Sequence, residues 1–237
     1  MNPCEELLGR ERILYDADAI AKLEVISFDP RDLAERGVLI GKARGRGLTY
    51  FIRVEGNDWV LRHYQRGGLV ARLLGDNYVW TGIERTRAWR EWHMLGQLRE
   101  RGLPVPRPIA ARVLRHGPVY KADIITQRLL GTRTLADLLS EGRLAESAWR
   151  AVGACIRRFH NTGAYHADLN AHNVLLTQDN KVYLIDFDKS ERCNQSQGWR
   201  HQNLTRLHRS LTKLRSLHDR FGFSESDWRL LCEGYGK

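Results

Sequence analysis

The stretch Tyr165–Asp188, YHADLNAHNVLLTQDNKVYLIDFD, sets four aspartates, two histidines and three asparagines among short apolar runs. One carboxylate in such a place reads as a turn or a cap, whereas several at fixed spacing call for a shared partner. Asp168 is followed five positions later by Asn173, and Asp186 comes thirteen positions after that. Between them VLLTQDNKVYLI predicts a β-hairpin with its turn at Gln178–Lys181, and a hairpin brings its two ends side by side. Asn173 and Asp186 are therefore expected to face a common point. An amide oxygen and a carboxylate are hard ligands for Mg²⁺, whose remaining ligands come from nucleotide phosphates and water. Asp168, with no metal of its own, is placed to orient an acceptor hydroxyl and take its proton. The pattern points to phosphoryl transfer, where the protein supplies positioning and charge neutralisation more than covalent chemistry.

Outward from this stretch, the helix predicted over about Glu146–Thr162 precedes it, and Thr134 caps a short helix before that. VYKADIITQRL reads as a strand. Trp89, Trp92, Leu95 and Leu98 recur at helical spacing until Gly102 and Pro104 end the run. From about Val38 to Tyr64 the chain reads as strands and Gly-rich turns. Towards the other end, Leu204, Leu207, Leu211 and Leu214 form one helical face, with Arg206, Arg209, Lys213 and Arg220 opposite. The leucines read as core, and the basic face as a surface for anionic lipid headgroups. His166 and His172 read as hydrogen-bonded support for their loop, and His160 as a satisfied core histidine.

The 237 residues can bury a sizeable core, and 42% hydrophobic content with seven Trp excludes a disordered chain. A net charge of +10 carried mostly by arginine predicts an anionic partner: a polynucleotide, an acidic membrane or a phosphorylated small molecule. No RNA-binding aromatic motif, zinc-finger spacing or basic tail supports nucleic acid. Cys4, Cys155, Cys193 and Cys232 form no CxxC pair and read as reduced thiols. No secretory signal or transmembrane run is read, so a cytosolic location is expected.

HADLNAHNVLL followed by LIDFD resembles the catalytic and metal-binding loops of protein-kinase-like phosphotransferases, although Asp188 stands where that pattern has glycine and no Ala-Pro-Glu segment follows. Together with GRGLTYF, VLRHYQRGGLVARLLGDNYVW, GLPVPRPIAAR and LIDFDKSE, it is similar to the lipopolysaccharide core kinases of Gram-negative bacteria, and among them to the 3-deoxy-D-manno-octulosonic acid (Kdo) kinases. The similarity runs from about Ile13 to Gly236. It implies an α+β, bilobal protein-kinase-like fold, with a β-rich N-terminal lobe over 1–128 and a helical C-terminal lobe over 129–237. Asp168 would be the catalytic base, and Asn173 and Asp186 the magnesium ligands. Gly41, Gly45 and Gly47 would line the ATP phosphates, with Arg62 paired to Glu91 where protein kinases carry a lysine and Lys42 as a second candidate cation. Arg62, Arg66 and Arg72 lie near that phosphate site in sequence and are candidates to capture an anionic acceptor. The acceptor implied is the 4-hydroxyl of Kdo on a lipid A precursor, met by a peripheral protein at the cytoplasmic face of the inner membrane. A heptose kinase, a kinase of a soluble small molecule and a nucleotide-binding pseudokinase scaffold are the alternatives.

Overall fold

The computed structural model describes residues 1–44, 48–65, 76–192 and 197–236. The chain divides into two compact units, Met1–Gln97 with Pro106–Arg128, and Leu98–Val105 with Leu129–Lys237.

The first unit is built on an antiparallel sheet of β1 (Pro3–Leu8), β2 (Glu11–Asp16), β3 (Leu39–Arg44), β4 (Leu48–Val54), β5 (Asn57–His63), β6 (Tyr78–Val79), β7 (Pro108–His116) and β8 (Val119–Gln127). Its spatial order is β1-β2-β7-β8-β5-β4-β3, with β6 also on β8. The central strand β8 buries four consecutive residues, Ala122 to Ile125, because both of its faces are covered. Asp123, buried in the middle of that strand, is compensated within its own lane: His63 on β5 and Arg112 on β7 stand directly opposite and both bond its carboxylate. The short helix α1 (Pro30–Glu35) starts on an Asp29 cap, whose carboxylate accepts from the Arg31 N–H, and buries Leu33. Ile13, Ile20, Phe28, Leu33, Trp59 and Ile109 belong to one apolar core. Helix α2 (Arg87–Glu100) buries Trp89, Trp92, Leu95 and Leu98, the residues its period singles out.

The second unit holds β9 (Thr132–Thr134), α3 (Leu135–Glu141), α4 (Glu146–Asn161), β10 (Ala164–Tyr165), β11 (Val174–Thr177), β12 (Val182–Leu184), β13 (Glu191–Arg192), α5 (Gln197–Leu217) and α6 (Glu225–Tyr235). Thr134 caps α3 by accepting from the Asp137 N–H at 3.0 Å. Strand β11 pairs with β12 in the register Val174↔Leu184 and with β9 on its other edge. β10 and β13 pair antiparallel, so the segment between them, 166–190, which carries the β11–β12 hairpin and the loops on either side of it, is cinched at its base.

The α+β class expected from the sequence is the one the structure has. Several elements depart from the expectation. The β1–β2 hairpin and β7 were not expected: β1 carries exposed glutamates, and the prolines before β7 read as a turn although Pro108 opens the strand. Helix α5 ends at Leu217, which leaves Arg220 beyond the basic face assigned to it.

Candidate active site

The loop pinned between β10 and β13 is organised around one imidazole. His166 is 2% exposed. Its Nδ1 accepts from the Asp168 N–H at 3.2 Å, and its Nε2–H donates to the Ile185 carbonyl at 2.9 Å. Those two partners fix the neutral tautomer with the proton on Nε2. Burial pulls the His166 pKa below its ordinary value, against the opposing pull of the Ile185 carbonyl and of the Asp186 and Asp168 carboxylates. Both carboxylates therefore act on the same ring.

The rest of the loop locks onto this centre. The Asp168 carbonyl accepts from the side-chain amides of Asn173 and Asn170, at 2.9 and 3.0 Å. The Asn173 side-chain NH₂ is thereby bonded within the loop. The Ile185 N–H donates to the Asn173 carbonyl at 3.1 Å, which brings Asn173 next to the residue preceding Asp186. Asp186 has φ 65°, a left-handed conformation that aspartate tolerates better than most residues. Phe187 turns inward, 1% exposed, stacks on Phe159 and meets the His166 ring at a tilt. The loop is closed by Ser190, whose Oγ accepts from the Ala167 N–H at 3.2 Å.

Helix α5 is tied to this loop at both ends of one face. Asn203 Nδ2 donates to the His166 carbonyl at 2.6 Å, and Ser210 Oγ accepts from the Ala171 N–H at 3.2 Å. Between them, Arg206 Nη1 donates to Asp168 Oδ1 at 2.9 Å. Positions 203, 206 and 210 share one helical face. Asn203 Oδ1 in turn accepts from His160 Nε2 at 3.2 Å, while His160 Nδ1 accepts from the Tyr235 hydroxyl at 2.9 Å. A buried polar chain thus runs from α6 through α4 and α5 to the loop.

In the first unit, Glu91 on α2 is 3% exposed and pairs with Arg62 on β5 and with the Tyr64 hydroxyl. The Arg62 guanidinium also lies 5.1 Å from the Tyr64 ring centroid. Lys42 is exposed on β3. Gly41 follows a register shift on β3, and a Cβ there would meet Phe51 at an ordinary 3.4 Å, so the chain's own packing does not require glycine. Gly45 and Gly47 lie outside the described residues, as do Arg66, Arg72 and Cys193.

Asp168, Asn173 and Asp186 are brought together by the hairpin and by His166, and Arg62 meets Glu91. His160 is the satisfied core histidine expected. His172 departs from its expected supporting role: it is exposed, and its backbone N–H donates to Asn170 Oδ1. Arg206 was assigned to a lipid-facing stripe and instead reaches Asp168. Asn203 and Ser210 carried no expectation, although their spacing on either side of Arg206 is a polar stripe beside the leucines. Among the described residues no group of three or more His, Cys, Asp and Glu forms a metal site. A magnesium ion held by one amide oxygen, one carboxylate and phosphates does not need such a group.

The lipopolysaccharide kinase (Kdo/WaaP) family matches residues 32–235. The chain is 41% identical over 235 residues to the 3-deoxy-D-manno-octulosonic acid kinase of Photobacterium profundum, covering 98% of each protein. It is 44% identical over 216 residues to the kinase of the same name from Stenotrophomonas maltophilia, covering 91% of this chain and 86% of that one. A third of that name, from Actinobacillus succinogenes, is 41% identical over 234 residues, with 94% and 95% covered. With its phosphotransferase-like loop in place and nearly its whole length matched, the chain belongs to the lipopolysaccharide kinase (Kdo/WaaP) family.

Proposed function

We propose that the protein transfers the γ-phosphoryl group of ATP to the 4-hydroxyl of Kdo on a lipid A precursor, in synthesis of the lipopolysaccharide inner core. The observation that carries this reading is the convergence of Asp168, Asn173 and Asp186 around His166, joined to the Kdo kinase names of the relatives. Asp168 accepts the acceptor's hydroxyl proton as the oxygen attacks the γ-phosphorus and the bond to the β-phosphate oxygen breaks. His166 holds the Asp168 backbone in place, and Asn170 and Asn173 hold it from the other side. Asn173 Oδ1 and the Asp186 carboxylate are the groups that would hold Mg²⁺, and a bound Mg²⁺ would neutralise phosphate charge. Arg62, fixed by Glu91, is the cation assigned to phosphate, and Gly41 is assigned to the phosphate loop.

No helix among the described residues is long and apolar enough to cross a membrane. Location at the cytoplasmic face of the inner membrane, held peripherally, is part of the same proposal. It is supported by the +10 charge and by the lipid nature of the acceptor.

The test is phosphate transfer from labelled ATP with Mg²⁺ to Kdo-bearing lipid A precursor and to the same lipid lacking Kdo. Transfer is expected to the first lipid alone, and Asp168→Ala is expected to lower kcat by about 10²–10⁴-fold, the usual worth of a general base. Label on the Kdo-free lipid, or full activity in the variant, would refute the acceptor or the base respectively.

A further inference from the structure

Arg206 stands out because its ion pair is poorly explained as a structural one. The Arg206 side chain is 50% exposed and that of Asp168 31%, and pairs this open to water contribute little to stability. Yet the arginine is presented with care. Asn203 fastens the helix one turn before it and Ser210 one turn after it, each to the backbone of the loop that carries Asp168. A guanidinium has five N–H donors in a planar fork matched to carboxylates. Only Nη1 is given to Asp168 Oδ1, so the fork can bridge that carboxylate and a second anion.

We propose that Arg206 binds the carboxylate of the acceptor sugar and so selects an acidic sugar for phosphorylation. The proposal rests on the acceptor reading above. An octulosonic acid bears its carboxylate on C2, two ring atoms from the 4-hydroxyl. A sugar whose 4-hydroxyl meets Asp168 therefore carries its carboxylate to a distance that a guanidinium hydrogen-bonded to Asp168 spans. A neutral sugar offers that fork only hydroxyl acceptors and no anionic partner, so it forgoes the stronger charge-assisted contact. Arg209, exposed one turn further along α5, extends the positive field from which the acid approaches.

The test is steady-state kinetics of wild type, Arg206→Met and Arg206→Lys. Each is assayed with the Kdo-bearing lipid and with the same lipid whose Kdo carboxylate has been converted to the primary amide. With the acid, Arg206→Met is expected to raise KM on the order of tenfold to a hundredfold, the range for a lost charge-assisted hydrogen bond, and Arg206→Lys less. With the amide, wild type is expected to show a comparably raised KM that Arg206→Met leaves unchanged, and KM for ATP is expected to be the same in all three. An equal loss of kcat on both acceptors would reduce Arg206 to a partner of Asp168. A raised KM for ATP would assign it to phosphate, and either result overturns the proposal. No transfer by wild type to the Kdo-bearing lipid removes the acceptor reading and this proposal together, whereas transfer indifferent to Arg206 removes this proposal alone.

Discussion

His166 is a single side chain on which the loop's geometry and its pH response both turn. Because burial lowers its folded pKa below the unfolded value near 6.5, the neutral ring is the form the fold holds. The sign follows: the unfolded chain binds the proton first, so this contribution to stability is complete above about pH 6.5 and is lost as pH falls towards the folded pKa. In buffer without divalent cations or nucleotide, the urea midpoint of wild type is expected to fall between about pH 7.5 and pH 5.5. His166→Gln, less stable at the upper pH, is expected to lose this component, worth up to about 1.4 kcal/mol per pH unit. Identical slopes in the two proteins would count against it. Asp168, Asn173 and Asp186 are legible in the sequence because one hairpin spaces them and local hydrogen bonds finish the placement. Arg206 is not, since it lies 38 residues from its partner and helical periodicity assigns it to the solvent side. What separates it from its neighbour Arg209 is the loop that happens to pass over its turn.

At the scale of elements, α4 and α6 meet backbone to backbone. A Cβ added at Gly153 would fall 2.0 Å from the Leu231 carbonyl, and one added at Gly234 would fall 2.1 Å from the Arg150 carbonyl. Each helix thus gives way with glycine where the other passes. Gly153→Ala is expected to destabilise by about 1–3 kcal/mol through overpacking. Gly198→Ala, near the start of α5 with nothing within 4 Å, is expected to stabilise by about 0.4–1 kcal/mol by restricting the unfolded chain. Urea denaturation of both variants checks the pair, and similar shifts would argue that helix propensity alone is at work. Helices such as α2 and α4 are legible because their apolar residues recur at helical spacing over three or more turns. Helix α6 is short, and its strongest signal is a capping box in which Ser224 and Asp227 bond each other's backbone N–H groups. The crossing itself is illegible, because a glycine inside a helical pattern reads as a weak point until the partner helix is known.

At the scale of the molecule, the +10 charge is concentrated in more than one place. On α5, Arg209 and Lys213 remain exposed after Arg206 is taken by Asp168. In the first unit, a concavity of about 550 Å³ is lined by Arg10, Arg12 and Arg115 with Trp80 and Val113. Replacing Arg209 and Lys213 together by glutamine is expected to weaken binding to anionic vesicles roughly 30-fold, at about 1 kcal/mol per basic residue, and to leave kcat on a detergent-solubilised acceptor unchanged. Unchanged vesicle binding would move the contact away from α5. The buried chain from Tyr235 through His160 and Asn203 to the His166 carbonyl reaches across 75 residues of sequence. At translation rates of about 5–20 residues per second, His160 waits roughly 4–15 s for its last partner to be made. During synthesis the last link of that buried chain, from Tyr235 to His160, therefore forms only after nearly all of the second unit has been translated.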